Sequence, residues 1–129
     1  MPDKDLILDW LRHAEDDLFT ARHMFEDVWP KKTEIAAFHS QQCAEKALKA
    51  FLVFNNIEPQ KIHDLIKLLK LCKNIDGGFS QLETCCKRLA PFSSASRYPN
   101  ELAVNDSIVK TAIDDAQRVY DFCAAKIPV

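Results

Sequence analysis

Apolar side chains recur at intervals of three and four along most of this chain, the period of helices packed through one face. Ile7, Trp10/Leu11, Ala14, Leu18, Ala21, Phe25 and Val28 form the first stripe, which predicts a helix from about Lys4 to Asp27. Asp17 interrupts it, three residues after Ala14 and four before Ala21. An unpaired buried carboxylate is expensive, so Asp17 is expected at the edge of the core and not inside it. Trp29-Pro30 ends the helix, and Thr33 is the expected N-cap of a second one. Helix two runs to Asn55-Asn56, residue types that tolerate a left-handed cap, with Pro59 shortly after.

His63-Asp64 opens a short helix, Leu65 to Cys72, with Leu65, Leu68, Leu69 and Cys72 inward. Gly77-Gly78 is expected to turn the chain, and Ser80-x-x-Glu83 reads as the capping box of a fourth helix carrying Leu82, Cys86 and Leu89. Residues 91–104 fit neither period, and so long a connection in a small domain is either functional or disordered. The last helix starts at an Asn105 or Asp106 cap and runs to about Lys126, with Ile108, Ala112, Ala116, Val119, Tyr120 and Cys123 on its face. The expected fold is all-α: one domain over residues 1–129, an up-and-down four-helix bundle with one short additional helix.

Composition supports this. Only two glycines occur, at adjacent positions, which argues against hairpins and Gly-rich phosphate loops. The net charge of −2 excludes a strongly basic nucleic-acid binder, but the charge is polarised. Residues 1–30 carry three basic and eight acidic side chains, and residues 31–73 carry eight lysines and four acids. The basic stretch either binds an anion or balances the acidic first helix. The five cysteines have no C-x-x-C spacing, the chain opens on a polar stretch and not an export signal, and no apolar run is long enough to span a membrane. A cytoplasmic protein with cysteines acting as small hydrophobes is expected.

Candidate chemistry concentrates on helix two, between Phe38 and Ala50. Ala44, Leu48 and Phe51 mark its apolar face; Gln41 and Glu45 sit beside it, and Lys46 and Lys49 continue a polar band from Gln42. This band is either a solvated helix face or one wall of a groove for a phosphorylated or base-bearing ligand. In Ser96-Arg97-Tyr98-Pro99, the proline biases Tyr98 toward extended backbone. There a guanidinium could take phosphate and a phenol could stack on a base. Equally, Arg97 could tie the loop to helix one while Tyr98 anchors packing. His63 reads first as a cap or loop histidine, Cys43 as a small core residue, and Trp10, Phe25, Phe38, Phe51 and Phe54 as core. Neither Glu-x-x-His pairs nor Cys/His zinc spacing is present, so no metal and no cofactor is expected.

Together these residues resemble the HEPN family (higher eukaryotes and prokaryotes nucleotide-binding domain). The carriers are Trp10-x-x-x-Ala14-x-x-Asp17-x-x-x-Ala21, then Phe38-His-x-Gln41-Gln42-x-Ala44-Glu45-Lys46-Ala47-Leu48-Lys49-Ala50, followed in order by His63-Asp64-Leu65 and Arg97-Tyr98-Pro99. The resemblance implies a helical bundle, frequent homodimerisation and nucleotide binding. It also implies a partner of the minimal nucleotidyltransferase type, in some cases as a toxin–antitoxin pair. Carried onto this chain, Lys46, Lys49 and Arg97 would contact phosphates, Gln41 and Glu45 would orient base or ribose, Tyr98 would stack, Asp17 would position Lys or Arg, and His63 would belong to the same nucleotide-binding set. Alternatively Asp17, Glu45, Lys49 and Arg97 pair among themselves.

The chain departs from the family's ribonuclease pattern, an Arg followed by a His after a short spacer near the last helix. Every histidine here lies at or before residue 63, so none follows Arg88, Arg97 or Arg118. A non-catalytic binding member is therefore expected. The rivals are a ribonuclease using His39 or His63 in a non-standard site, with RNA as substrate, and an obligate structural subunit with no ligand of its own.

Overall fold

A computed structural model describes residues 2–59, 61–97 and 104–128. The described residues are all helical or irregular, with five α-helices: α1 (Lys4–Glu26), α2 (Thr33–Phe54), α3 (Leu65–Ile75), α4 (Glu83–Leu89) and α5 (Asp106–Ala125). Two 3-10 helices, Gly77–Leu82 and Ala90–Arg97, flank α4. Helix α2 is the hub. It packs against each of the other α-helices and against the second 3-10 helix. Alanines make this possible: Ala36, Ala37, Ala44, Ala47 and Ala50 are fully buried, and Ala14 and Ala21 of α1 likewise. Small side chains let neighbouring helices approach closely, so α2 keeps almost no face for water.

The helix ends follow local chemistry. Asp3 caps α1 by accepting the Leu6 N–H at 3.1 Å, and Asn105 caps α5 through the Ile108 N–H at 2.9 Å. Asn56 takes the left-handed conformation just beyond α2, at φ 62°. Asp64 accepts the N–H groups of Ile66 (3.0 Å) and Lys67 (3.2 Å) at the start of α3. Replacing Asp64 by alanine is expected to cost about 1 kcal/mol, read as a lower melting temperature, because both donors lose their acceptor. An unchanged melting temperature would show that water serves them equally well.

Several local expectations are corrected. Thr33 is not the cap of α2: Lys32 occupies that position without a side-chain hydrogen bond, and Thr33 is already helical. The Ser80–Glu83 capping box does not form. Ser80 lies inside the first 3-10 helix, Leu82 precedes α4 without capping it, and Glu83 pairs with Lys73 of α3. The two glycines make no open turn; they begin that 3-10 helix, with Asp76 accepting the Gly78 N–H at 2.8 Å. Part of the segment expected to be irregular is ordered: Ala90–Arg97 is helical and lies against α2, with Phe92 buried. Tyr98 lies outside the described residues. On α5 the phase set by the Asn105 cap turns Ile108 outward, and Val109 and Ile113 take the core.

All five cysteines are free and buried. Burial, and secondarily the Asp17 charge, raises the Cys43 thiol far above its ordinary range, so no thiolate nucleophile exists on α2 at neutral pH. Cys72 and Cys86 are pushed up to about 12, again chiefly by burial. No helix among the described residues is long and apolar enough to cross a membrane.

Candidate functional site

The polar band of α2 is not a solvated face. Gln41, Glu45 and Lys49, spaced one turn apart, are 0%, 4% and 2% exposed. Because α2 is the hub, positions that would meet water on a peripheral helix here meet other helices. The band must therefore satisfy itself. Lys49 Nζ stands 3.0 Å from Glu45 Oε2, and Gln41 Nε2 donates to Glu45 Oε1 at 3.4 Å. Gln42 Nε2 donates to Gln41 Oε1 at 2.7 Å, closing the amide end. The Lys49 ammonium also lies 5.2 Å from the centroid of the Trp10 ring, a cation–π arrangement strengthened by its desolvation.

His63 comes from the short connection before α3 and covers the water side of this pair. Its Nδ1 lies 3.1 Å from Glu45 Oε2 and 3.5 Å from Lys49 Nζ. As a donor it serves the carboxylate and as an acceptor the ammonium, never both at once. The His63 side chain is 73% exposed, so a group that binds it from solvent sits one residue away from a buried ion pair.

A second cluster stands on the neighbouring face of α2. Asp17 of α1 is buried, 7% exposed, contrary to the edge position expected from its cost. The cost is met by two partners: His39 Nδ1 at 2.8 Å and Lys46 Nζ at 2.6 Å, from positions seven apart on α2. Burial pushes the Asp17 carboxyl up, but the hydrogen bonds from His39 and Lys46, with their charge, hold it below the ordinary value. Asp17 is therefore ionised, the His39 Nδ1–H donates to it, and Nε2 is the nitrogen left for other chemistry. Lys46 and His39 remain about a quarter exposed at the side chain.

These distances place six of the sequence-derived residues in two clusters: Asp17 with Lys46, and Gln41, Glu45 and Lys49 with His63. Arg97 ends the second 3-10 helix, and Tyr98 lies outside the described residues. Both ammoniums expected to meet phosphate already face a carboxylate. Lys49 is sealed behind its partner; Lys46 keeps an open edge. His39 was missed as the second partner of Asp17, although its spacing of seven from Lys46 on one helix is the signal that pairs them. Trp10 was expected in the core but is only partly buried. It helps line a cleft between α1 and α2.

A third pair had no sequence signal at all. Arg88 of α4 holds the buried Asp115 of α5 through two parallel hydrogen bonds, Nε at 2.8 Å and Nη2 at 2.7 Å. Their positions are 27 residues apart and nothing in their spacing links them. Among the described residues no group of three or more His, Cys, Asp or Glu side chains is placed to hold a metal.

A family model described as the HEPN domain matches residues 7–127, nearly the full length. Among solved structures, the crystal structure of an archaeal HEPN homologue superimposes with a TM-score of 0.75 at 30% identity, over 94% of this chain and 97% of that one. Comparison with curated proteins returns no match.

Proposed function

Because this chain belongs to the HEPN domain family, we propose that it works as a non-catalytic nucleotide-binding module paired with a minimal nucleotidyltransferase. The reading includes an up-and-down four-helix course with one short extra helix, self-association as a homodimer, and the possibility that the pair acts as a toxin and its antitoxin. The observation that supports binding best is the layering on α2. Buried carboxylates, Asp17 and Glu45, are each backed by a lysine and each presents a histidine or ammonium edge to water. Such a frame holds Lys46 and His63 in fixed positions without further ordering when an anion arrives, and preorganisation of this kind favours affinity. In this reading Asp17, Gln41, Glu45 and Lys49 position the contact residues, and the family resemblance adds Arg97 for phosphate and Tyr98 for the base. The non-catalytic part rests on the order of residues, since no histidine follows any arginine of the C-terminal half.

Thermal stabilisation tests it directly. A nucleotide at a hundred times its dissociation constant adds about 2.7 kcal/mol, which for a chain of this size is a rise of roughly 10 °C. ATP, GTP, CTP, UTP, NAD and a short RNA are each compared, with Arg97→Ala alongside. A rise with one ligand, reduced in the variant, is the expected result. No rise with any of them would replace this reading with a subunit that binds only its protein partner.

The Asp17–His39 contact favours one second reading. A histidine oriented through Nδ1 by a buried carboxylate has its Nε2 set for proton transfer, which a ribonuclease with a non-standard site would use. RNA cleavage abolished in a folded His39→Ala protein would establish it. No cleavage by the unaltered protein at high concentration would remove it.

A further inference from the structure

We propose that the cleft between α1 and α2 is the seat of the nucleotide, with the Trp10 ring as the surface on which the base stacks. The proposal rests on the nucleotide-binding reading, keeps Lys46 as a phosphate contact, and moves the base from Tyr98 to Trp10 and the second phosphate contact from His63 and Arg97 to His13. The cleft has a volume of about 310 Å³ and is lined by Leu6, Asp9, Trp10, His13 and Lys46. It is a shallow depression open to solvent, so a base would lie against its wall without being enclosed. Its chemistry is mixed in the way a nucleotide requires. The indole and Leu6 supply an apolar wall, and base–aromatic stacking is tolerant of base identity. Lys46 lines the cleft, its ammonium fixed by Asp17 at 2.6 Å and its side chain a quarter exposed. His13, exposed one turn from Trp10, adds a second nitrogen donor for phosphate. Asp9, already held by Arg12, offers a carboxylate for ribose hydroxyls.

Trp10 itself is arranged as a platform. The desolvated Lys49 ammonium lies over its ring, 5.2 Å from the centroid. Its indole Nε1 is the single buried side-chain polar atom without a hydrogen-bond partner among the described residues. The ring is thus held by packing and by Lys49, and not through its polar edge. The charged network of α2 then acquires a role beyond self-neutralisation: Glu45 fixes Lys49, Lys49 supports the ring, and Asp17 fixes Lys46 beside it.

The protein has two tryptophans, and the other, Trp29, is 85% exposed on the connection between α1 and α2. A Trp29→Phe protein therefore reports on Trp10 alone. AMP titrated into it should quench the remaining emission saturably and shift the one remaining indole N–H resonance in an NMR spectrum. Adenosine and inorganic phosphate, tested separately, should each bind at least tenfold more weakly than AMP. Lys46→Gln and His13→Ala, both at partly or fully exposed positions, should weaken AMP at least tenfold and several-fold while leaving adenosine unchanged.

Nucleotide-induced thermal stabilisation without any change at Trp10 would overturn the placement and leave the nucleotide-binding reading standing. No stabilisation and no change at Trp10 would overturn both. Equal affinity for adenosine and AMP would also overturn the proposal, because it would show that Lys46 and His13 meet no phosphate.

Discussion

Replacing Lys49 by alanine is expected to destabilise the protein by about 3–5 kcal/mol, a large part of the total for a domain of this size. The ammonium and the Glu45 carboxylate are 2% and 6% exposed at their side chains and 3.0 Å apart. Removing one partner leaves the other desolvated without its countercharge. What remains near Glu45 is the exposed imidazole of His63 and a long contact from Gln41, and neither substitutes for a buried cation. Glu45→Gln is expected to cost a similar amount, since it strands the ammonium. The double substitution Glu45→Leu with Lys49→Met removes both charges at similar volume and should recover most of the loss. Denaturant midpoints at an unchanged m-value measure all three. A Lys49→Ala protein within about 1 kcal/mol of the original would mean that water reaches the pair after all.

Asp17→Ala should cost about 2–4 kcal/mol, because one buried carboxylate accepts from both His39 and Lys46. Its effect carries a pH signature that packing loss lacks. Burial works to raise the Asp17 pKa, but the hydrogen bonds and charge of His39 and Lys46 bring it below 3.8 in the folded protein. A carboxyl whose folded pKa is depressed contributes stability that is present above the unfolded value and lost as pH falls through the folded one. The stability gap between the original protein and Asp17→Asn should therefore persist from neutral pH down to the ordinary carboxylate range and shrink only below it. A gap independent of pH in acid would show that Asp17 contributes shape and not charge. Loss of Asp17 should also free Lys46, so the same variant tests whether AMP affinity depends on a fixed ammonium beside Trp10.

By spacing alone Asp17 belongs at the edge of the core, and the α2 band is either a solvated face or the wall of a groove; in the structure Asp17, Gln41, Glu45 and Lys49 are all buried. The edge position for Asp17 and the solvated alternative for α2 both assume that a polar side chain on an amphipathic stripe goes to water. On α1 the assumption fails because the partners of Asp17 sit 22 and 29 residues further along the chain, on another helix. On α2 it fails because helical periodicity shows which positions share a face but not how many neighbours the helix has. Tyr120 of α5 reaches Glu15 of α1, and Arg22 of α1 reaches Gln117 of α5 at 3.0 Å, across more than ninety residues. Pairings of this kind have no local signature.

What the sequence determined by itself was most of what depends on near neighbours, the Thr33 cap and the Ser80–Glu83 box excepted. Apolar spacing of three and four specified the helices, Asp64 and Asn105 specified where α3 and α5 begin, and the motif order from Trp10 to Pro99 specified the family. The tertiary structure alone decided which polar residues are buried, that Asp17 meets both His39 and Lys46, and that Trp10 lines a cleft. The physical reason is range. A helix and its cap are settled within one or two turns, where side-chain and backbone groups meet regardless of the rest of the chain. Burial and ion pairing depend on what packs against a face, and α2 is surrounded by four helices contributed from both ends of the chain.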